Sequence, residues 1–163
     1  MKKLLLLLFI PFISIGQVDS FKDIQGINSL EQFKRVVIEN NYQYTKEDIG
    51  FLWYGISPTK DENDDWVSGS WAGYNTSTNE WTFQFARGSG LFSALGALAT
   101  GYDLIFDEVK ERCEFFRIVN YLADEDYACY SCPESSYEGK IGFTLNDDQG
   151  IIRHFTKHRW TNY

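Results

Sequence analysis

Val67 to Ala86, VSGSWAGYNTSTNEWTFQFA, holds the clearest sign of an antiparallel sheet in the chain. It contains two strand candidates, Val67 to Tyr74 and Trp81 to Ala86, joined across the polar turn Thr76 to Asn79. In the simplest antiparallel register Tyr74 faces Trp81 and Ala72 faces Phe83, so Trp81, Phe83 and Phe85 line one buried face by period-two alternation. Trp71 falls on the opposite face. Such an apolar sheet face requires a cover, and the chain supplies two candidate helices for it.

The first begins at Ser29, with Gln32 three residues on in a capping-box arrangement. Leu30, Phe33, Val36 and Val37 share its apolar face, and Asn40 and Asn41 are its stop residues. Val18 to Gly26 is expected to be a loose lead-in. Strand candidates Tyr42 to Thr45 and Phe51 to Ile56 follow, then a polar, acid-rich loop from Pro58 to Asp65. The second helix is capped by Thr100 and Asp103 and carries Tyr102, Ile105, Phe106, Val109 and Cys113 at helical spacing. After it come strand candidates Phe115 to Tyr121, Tyr127 to Cys132, Lys140 to Leu145 and Ile151 to Phe155.

The expected fold is therefore α+β, a two-layer sandwich with two helices packed on a mainly antiparallel sheet of seven or eight strands. Helix then four strands occurs twice, which predicts a tandem repeat of pattern over 27–87 and 100–156. The layout is similar to the tandem repeats of secreted β-lactamase inhibitor proteins, a likeness of layout that no motif carries.

Residues 1–16 predict the compartment. Lys2 and Lys3 precede an apolar run from Leu4 to Ile15, and Ser14 and Gly16 place small residues before a cleavage point at Gln17. The run is too short to span a bilayer, which takes about 20 apolar residues. The expectation is an exported chain, periplasmic or extracellular, with no transmembrane anchor after cleavage and one domain over 17–163. The short, lysine-led leader looks bacterial, so Asn75-Thr76-Ser77 is expected to carry no glycan. The leader holds two of the 15 basic residues and none of the 23 acidic ones, so its removal leaves a net charge of −10. That balance opposes nucleic acid and anionic membranes as partners.

An oxidising compartment makes one disulfide the first expectation for Cys113, Cys129 and Cys132. If Phe115 to Tyr121 turns into Tyr127 to Cys132 near Ala123 and Asp124, Cys129 faces Ile118 and Cys132 falls opposite Phe115, two positions from Cys113. Cys113 with Cys132 is then favoured after a small register shift, which leaves Cys129 a buried thiol. Two rivals are weaker. Cys129-x-x-Cys132 closes a strand, whereas redox pairs open a helix, and Cys129, Cys132, His154 and His158 have the wrong middle spacing for a compact zinc finger.

Motifs for nucleophilic catalysis and phosphate binding are missing: no G-x-S-x-G, Walker loop or H-E-x-x-H occurs. Both histidines lie in the last ten residues among Arg153, Lys157 and Arg159 and are expected at the surface. Asp61, Asn63 and Asp65 have calcium-loop spacing, but Trp66 and Ala72 stand where the turn glycine and the bidentate glutamate belong. No catalytic residue, metal ligand or cofactor is assigned. Trp53, Tyr54, Trp66, Trp71 and Tyr74 offer ring faces that stack on sugars, with Trp71 the one expected to be exposed. Gly88 to Gly101, an apolar stretch of small residues, makes Leu91, Phe92 and Leu95 further binding candidates.

The functional expectation is a non-enzymatic exported protein that binds a protein partner through Trp71 or through Leu91, Phe92 and Leu95. A glycan-binding module and a small carboxylate-dependent hydrolase are the alternatives. Mass spectrometry of the protein recovered from the extracytoplasmic fraction is expected to find Gln17 as its first residue; an intracellular product retaining Met1 contradicts the leader.

Overall fold

The computed structural model describes residues 17–86, 101–121, 125–144 and 149–156. The leader and the candidates Leu91, Phe92 and Leu95 lie outside them. The architecture is α+β, with a large antiparallel sheet and few helices. In chain order the elements are α1 (Phe21–Gln25), α2 (Leu30–Glu39), β1 (Tyr42–Asp48), β2 (Phe51–Ile56), β3 (Thr59–Lys60), β4 (Trp66–Val67), β5 (Ser70–Asn75) and β6 (Glu80–Ala86). They continue with α3 (Gly101–Arg112), β7 (Glu114–Tyr121), β8 (Glu125–Ser131), β9 (Lys140–Thr144) and β10 (Gln149–Phe155).

Eight strands form one sheet in the order β1-β2-β5-β6-β10-β9-β8-β7, while β3 and β4 make a separate two-stranded ribbon. The β5–β6 hairpin pairs Ala72 with Phe83 and Tyr74 with Trp81. Alternation then sends Trp81, Phe83 and Phe85 to a core in which all three are buried. The helices pack on that face. Phe33 of α2 meets the rings of Tyr54, Tyr74 and Phe83, and Tyr102 and Phe106 of α3 meet Phe143.

The start of α2 follows from local chemistry. The Ser29 hydroxyl accepts from the Gln32 amide, which satisfies one orphan donor of the first turn, and the Gln32 side chain accepts in turn from the Asn28 amide just before the cap. The expected loose lead-in is instead ordered. Val18, Phe21, Ile24 and Ile27 are fully buried, and α1 docks on α3 through the Phe21 amide, which donates to the Glu108 carboxylate at 3.2 Å. The third strand expected from the sequence is divided into β4 and β5, because the Ser68 hydroxyl donates to the carbonyls of Ile56 and Ser70 and breaks the run.

A bulge decides the disulfide. From Arg117 to Tyr121, β7 pairs with β8 so that Ile118 opposes Ala128 and Arg117 opposes Cys129, one position from the simple register. Phe116 is the extra residue, after which Phe115 opposes Tyr130 and Glu114 opposes Ser131. This second shift brings Cys113 level with Cys132, and the two are bonded with α-carbons 4.5 Å apart. Cys129 is buried as a free thiol, and burial pushes its pKa up to about 12.

The bridge closes a loop of 19 residues, for which chain-entropy reasoning gives about 3 kcal/mol of stabilisation. Replacing Cys113 and Cys132 together by serine is expected to lower the unfolding free energy by about 2–4 kcal/mol in urea titrations. No change would mean that the bridge constrains nothing.

Candidate functional site

The sheet face turned away from the helices carries the site. Antiparallel pairing of β2 with β5 sets Trp53 opposite Gly73 and Gly55 opposite Trp71. Each strand contributes a tryptophan and, two residues later, a glycine on the same face. Antiparallel direction then places each ring beside the other strand's glycine. A Cβ on Gly73 would lie 2.7 Å from the Trp53 ring, too close for a larger residue, and one on Gly55 would fit tightly, 3.0 Å from the Ser68 Cβ and 3.2 Å from the Trp71 ring. Trp53 is further held by stacking on Phe51, with centroids 5.4 Å apart and planes 21° apart.

A bulge in β1 completes the site. Thr45 is skipped in the β1–β2 pairing, so Lys46 opposes Trp53 and Asp48 opposes Phe51. The Thr45 hydroxyl secures the irregularity by donating to the Trp53 carbonyl at 3.0 Å. Bulges re-aim side chains, and here the consequence is that Lys46 and Asp48 share the tryptophan face. Across β5, Trp71 opposes Gln84 of β6. The β3–β4 ribbon adds Trp66, whose ring lies under the Lys60 ammonium at 4.8 Å.

These residues enclose an open cleft of about 310 Å³ lined by Lys46, Asp48, Trp53, Trp66, Trp71 and Gln84. Its charges cancel locally, because the Lys46 ammonium and the Asp48 carboxylate pair at 3.4 Å. A smaller depression of about 60 Å³ adjoins it, sharing Trp71 and Gln84 and reaching Ser68 and Gln149.

The aromatic candidates from the sequence therefore separate. Tyr54 and Tyr74 are core residues, whereas Trp53, Trp66 and Trp71 are half-buried around the cleft. Lys46, Asp48 and Gln84 were not legible as partners of Trp71. The available signal was the pair of W-x-G tripeptides, Trp53-Tyr54-Gly55 and Trp71-Ala72-Gly73, in neighbouring strand candidates.

The remaining polar candidates have structural roles. One Asp61 carboxylate oxygen accepts from the Asn63 and Asp65 amides at 2.8 and 2.9 Å, and Asp64 pairs with Lys60. Asp61 and Asp64 thus serve the loop's own turn. Cys132 is committed to the disulfide, which breaks the candidate zinc set. Among the described residues no cluster of three or more His, Cys, Asp and Glu side chains is arranged around a metal-sized gap.

His154 corrects the surface expectation. It is 4% exposed, stacks on Trp81 with centroids 5.4 Å apart and donates from Nε2 to the Glu138 carbonyl at 2.8 Å. Its neighbours in sequence are cationic, but the alternation of β10 turns it with Ile152 toward the helix side. A polar hollow of about 330 Å³ lies beside it, lined by groups that include Asn28, Thr78, Tyr137 and Thr156. Comparison with family models, curated proteins and solved structures finds no match for the chain.

Two outcomes follow. Trp71→Ala is expected to cost about 1 kcal/mol or less, against about 3–5 kcal/mol for Trp81→Ala; equal losses in urea titrations would assign Trp71 to the core. Burial lowers the His154 pKa, outweighing the opposite pull of the Glu138 carbonyl, the Glu80 carboxylate and the Asn79 backbone. The unfolded chain then takes up this proton first on acidification. Stability contributed by His154 is full above the ordinary imidazole value of about 6.5 and falls as the pH drops below it. His154→Phe should flatten that dependence, and an unchanged slope contradicts the assignment.

Proposed function

We propose that the chain is an exported, non-enzymatic binding protein that takes its ligand at the Trp53, Trp66 and Trp71 cleft. The observation that carries this reading is the pair of W-x-G strands, which holds large rings only partly buried on a face where the helices do not pack. The exposed part of each indole forgoes burial worth about 25 cal/mol per Å², and a ligand seated on it recovers that. Rings already braced by Phe51, Gly55 and Gly73 lose little freedom on binding.

Binding is favoured over catalysis by the composition of the cleft. Asp48 is its one carboxylate among the described lining residues, and it is paired with Lys46. Glycoside hydrolysis uses two carboxyl groups flanking the bond. The buried imidazole, His154, sits on the other face and stacks on Trp81. Export rests on the leader and on the Cys113–Cys132 bridge, since disulfides persist in oxidising compartments. No helix among the described residues is long and apolar enough to cross a membrane.

The same proposal reads 17–163 as one domain whose helices form the second layer of a two-layer sandwich. The repeat over 27–87 and 100–156 finds support in the strand order, in which each set of four strands runs from an outer edge to the centre. Immobilised wild-type protein and Trp71→Ala, each offered the extracytoplasmic fraction of its own cells, test the binding function. The expected result is a component retained by wild type and lost with the variant; identical retention by both contradicts the cleft as the site.

A further inference from the structure

We infer that the cleft takes a neutral saccharide, a short β-linked chain of pyranose rings with equatorial hydroxyls; the inference rests on the binding function proposed above. Such rings are amphipathic. Their axial C–H groups form flat apolar faces, and their hydroxyls project around the rim as both donors and acceptors.

The cleft matches both halves of that description. Trp53 and Trp71 stand on adjacent strands, which are about 4.8 Å apart, and each lies beside a glycine that lets it approach the sheet. Around them Gln84 supplies an amide that both donates and accepts, Asp48 accepts and Lys46 donates. A hydroxyl satisfies all three. A purely apolar ligand would strip water from these groups without replacing their hydrogen bonds, which costs roughly 1–3 kcal/mol per group.

Charge and size narrow the class further. The Lys46–Asp48 pair leaves the cleft without net charge, and the whole chain has 23 acidic against 15 basic residues. An anionic polysaccharide finds no net positive charge in the cleft and meets the negative field of the protein. A protein partner needs about 800 Å² on each side of a stable interface, whereas a concavity of about 310 Å³ fits the lower end of small-molecule sites, roughly 300–1,000 Å³. The adjoining depression that shares Trp71 and Gln84 and ends at Ser68 and Gln149 offers further polar groups to ring hydroxyls at the margin of the cleft.

The test uses the full exported protein with cellotetraose, chitotetraose and, as an anionic control, tetragalacturonate. Tryptophan fluorescence titrations and saturation-transfer NMR are read together. Expected are saturable binding of at least one neutral tetrasaccharide, strongest transfer into its axial C–H protons, and weaker binding of the galacturonate. Trp71→Ala should weaken binding roughly tenfold or more, with partial recovery in Trp71→Phe, which restores a ring. Circular dichroism and the urea midpoint establish that each variant is folded; should Trp71→Ala fail to fold, Gln84→Ala provides the weakened variant.

The inference is overturned if neither neutral tetrasaccharide binds the folded wild-type chain, or if the galacturonate binds as tightly as they do. When saccharides fail but Trp71-dependent retention of extracytoplasmic material persists, the ligand belongs to another class and the binding function stands. When retention is also independent of Trp71, both fall.

Discussion

Without the pairing of β6 with β10 the sheet would fall into two separate sets of four strands. Five registered pairs, from Gln149 opposite Ala86 to Arg153 opposite Thr82, join β1-β2-β5-β6 to β10-β9-β8-β7. Trp81 sits at this seam. Its ring stacks on His154, meets Tyr137 edge to face and donates through its indole N–H to the Ile27 carbonyl. One side chain thereby ties the strand at the centre of the sheet to the segment before α2 and to the connection between β8 and β9. Glu80 beside it accepts from the amide and hydroxyl of Thr156, which fixes the chain where β10 ends.

A continuous sheet gives the two faces different fates. The helix side collects the rings of Phe33, Tyr74, Trp81, Phe83 and Phe143 into one core. On the other side, the half formed by β7 to β10 builds its own cluster from Val119, Tyr121, Tyr127, Cys129, Ile151 and Phe155, with Arg153 lying over the Tyr121 ring at 4.5 Å. On the half formed by β1, β2, β5 and β6 the Trp53 and Trp71 rings lie over Gly73 and Gly55 and border a cleft. This asymmetry places the candidate site: Gly142 of the other half is likewise covered, but by the Phe155 ring and the Cys129 sulfur of a closed cluster.

The legible parts of the fold were those set by periodicity. The β5–β6 register followed from alternation, because sliding one strand by a residue turns its whole apolar set to the wrong face. Both bulges were illegible, since an inserted residue is defined only against its partner strand. Thr45 and Phe116 therefore redirected Lys46, Asp48 and Cys113 in ways the chain alone does not announce. Helix α1, five residues long, is too short to be stable by propensity and exists through its docking on α3. The cationic neighbours of His154 point to the surface, but the alternation of β10 turns its own ring onto Trp81. For the site, Trp71 was readable as outward-facing, whereas its grouping with Trp53 and Trp66 required the strand pairing.

Native-state hydrogen exchange under increasing denaturant tests the seam most directly. If β6–β10 pairing makes the proposed single domain cooperative, the slowest amides of β5 and β6 and those of β8 and β9 will share one opening free energy and one denaturant dependence. Two distinct values, with one set of four strands opening while the other stays protected, would contradict the account.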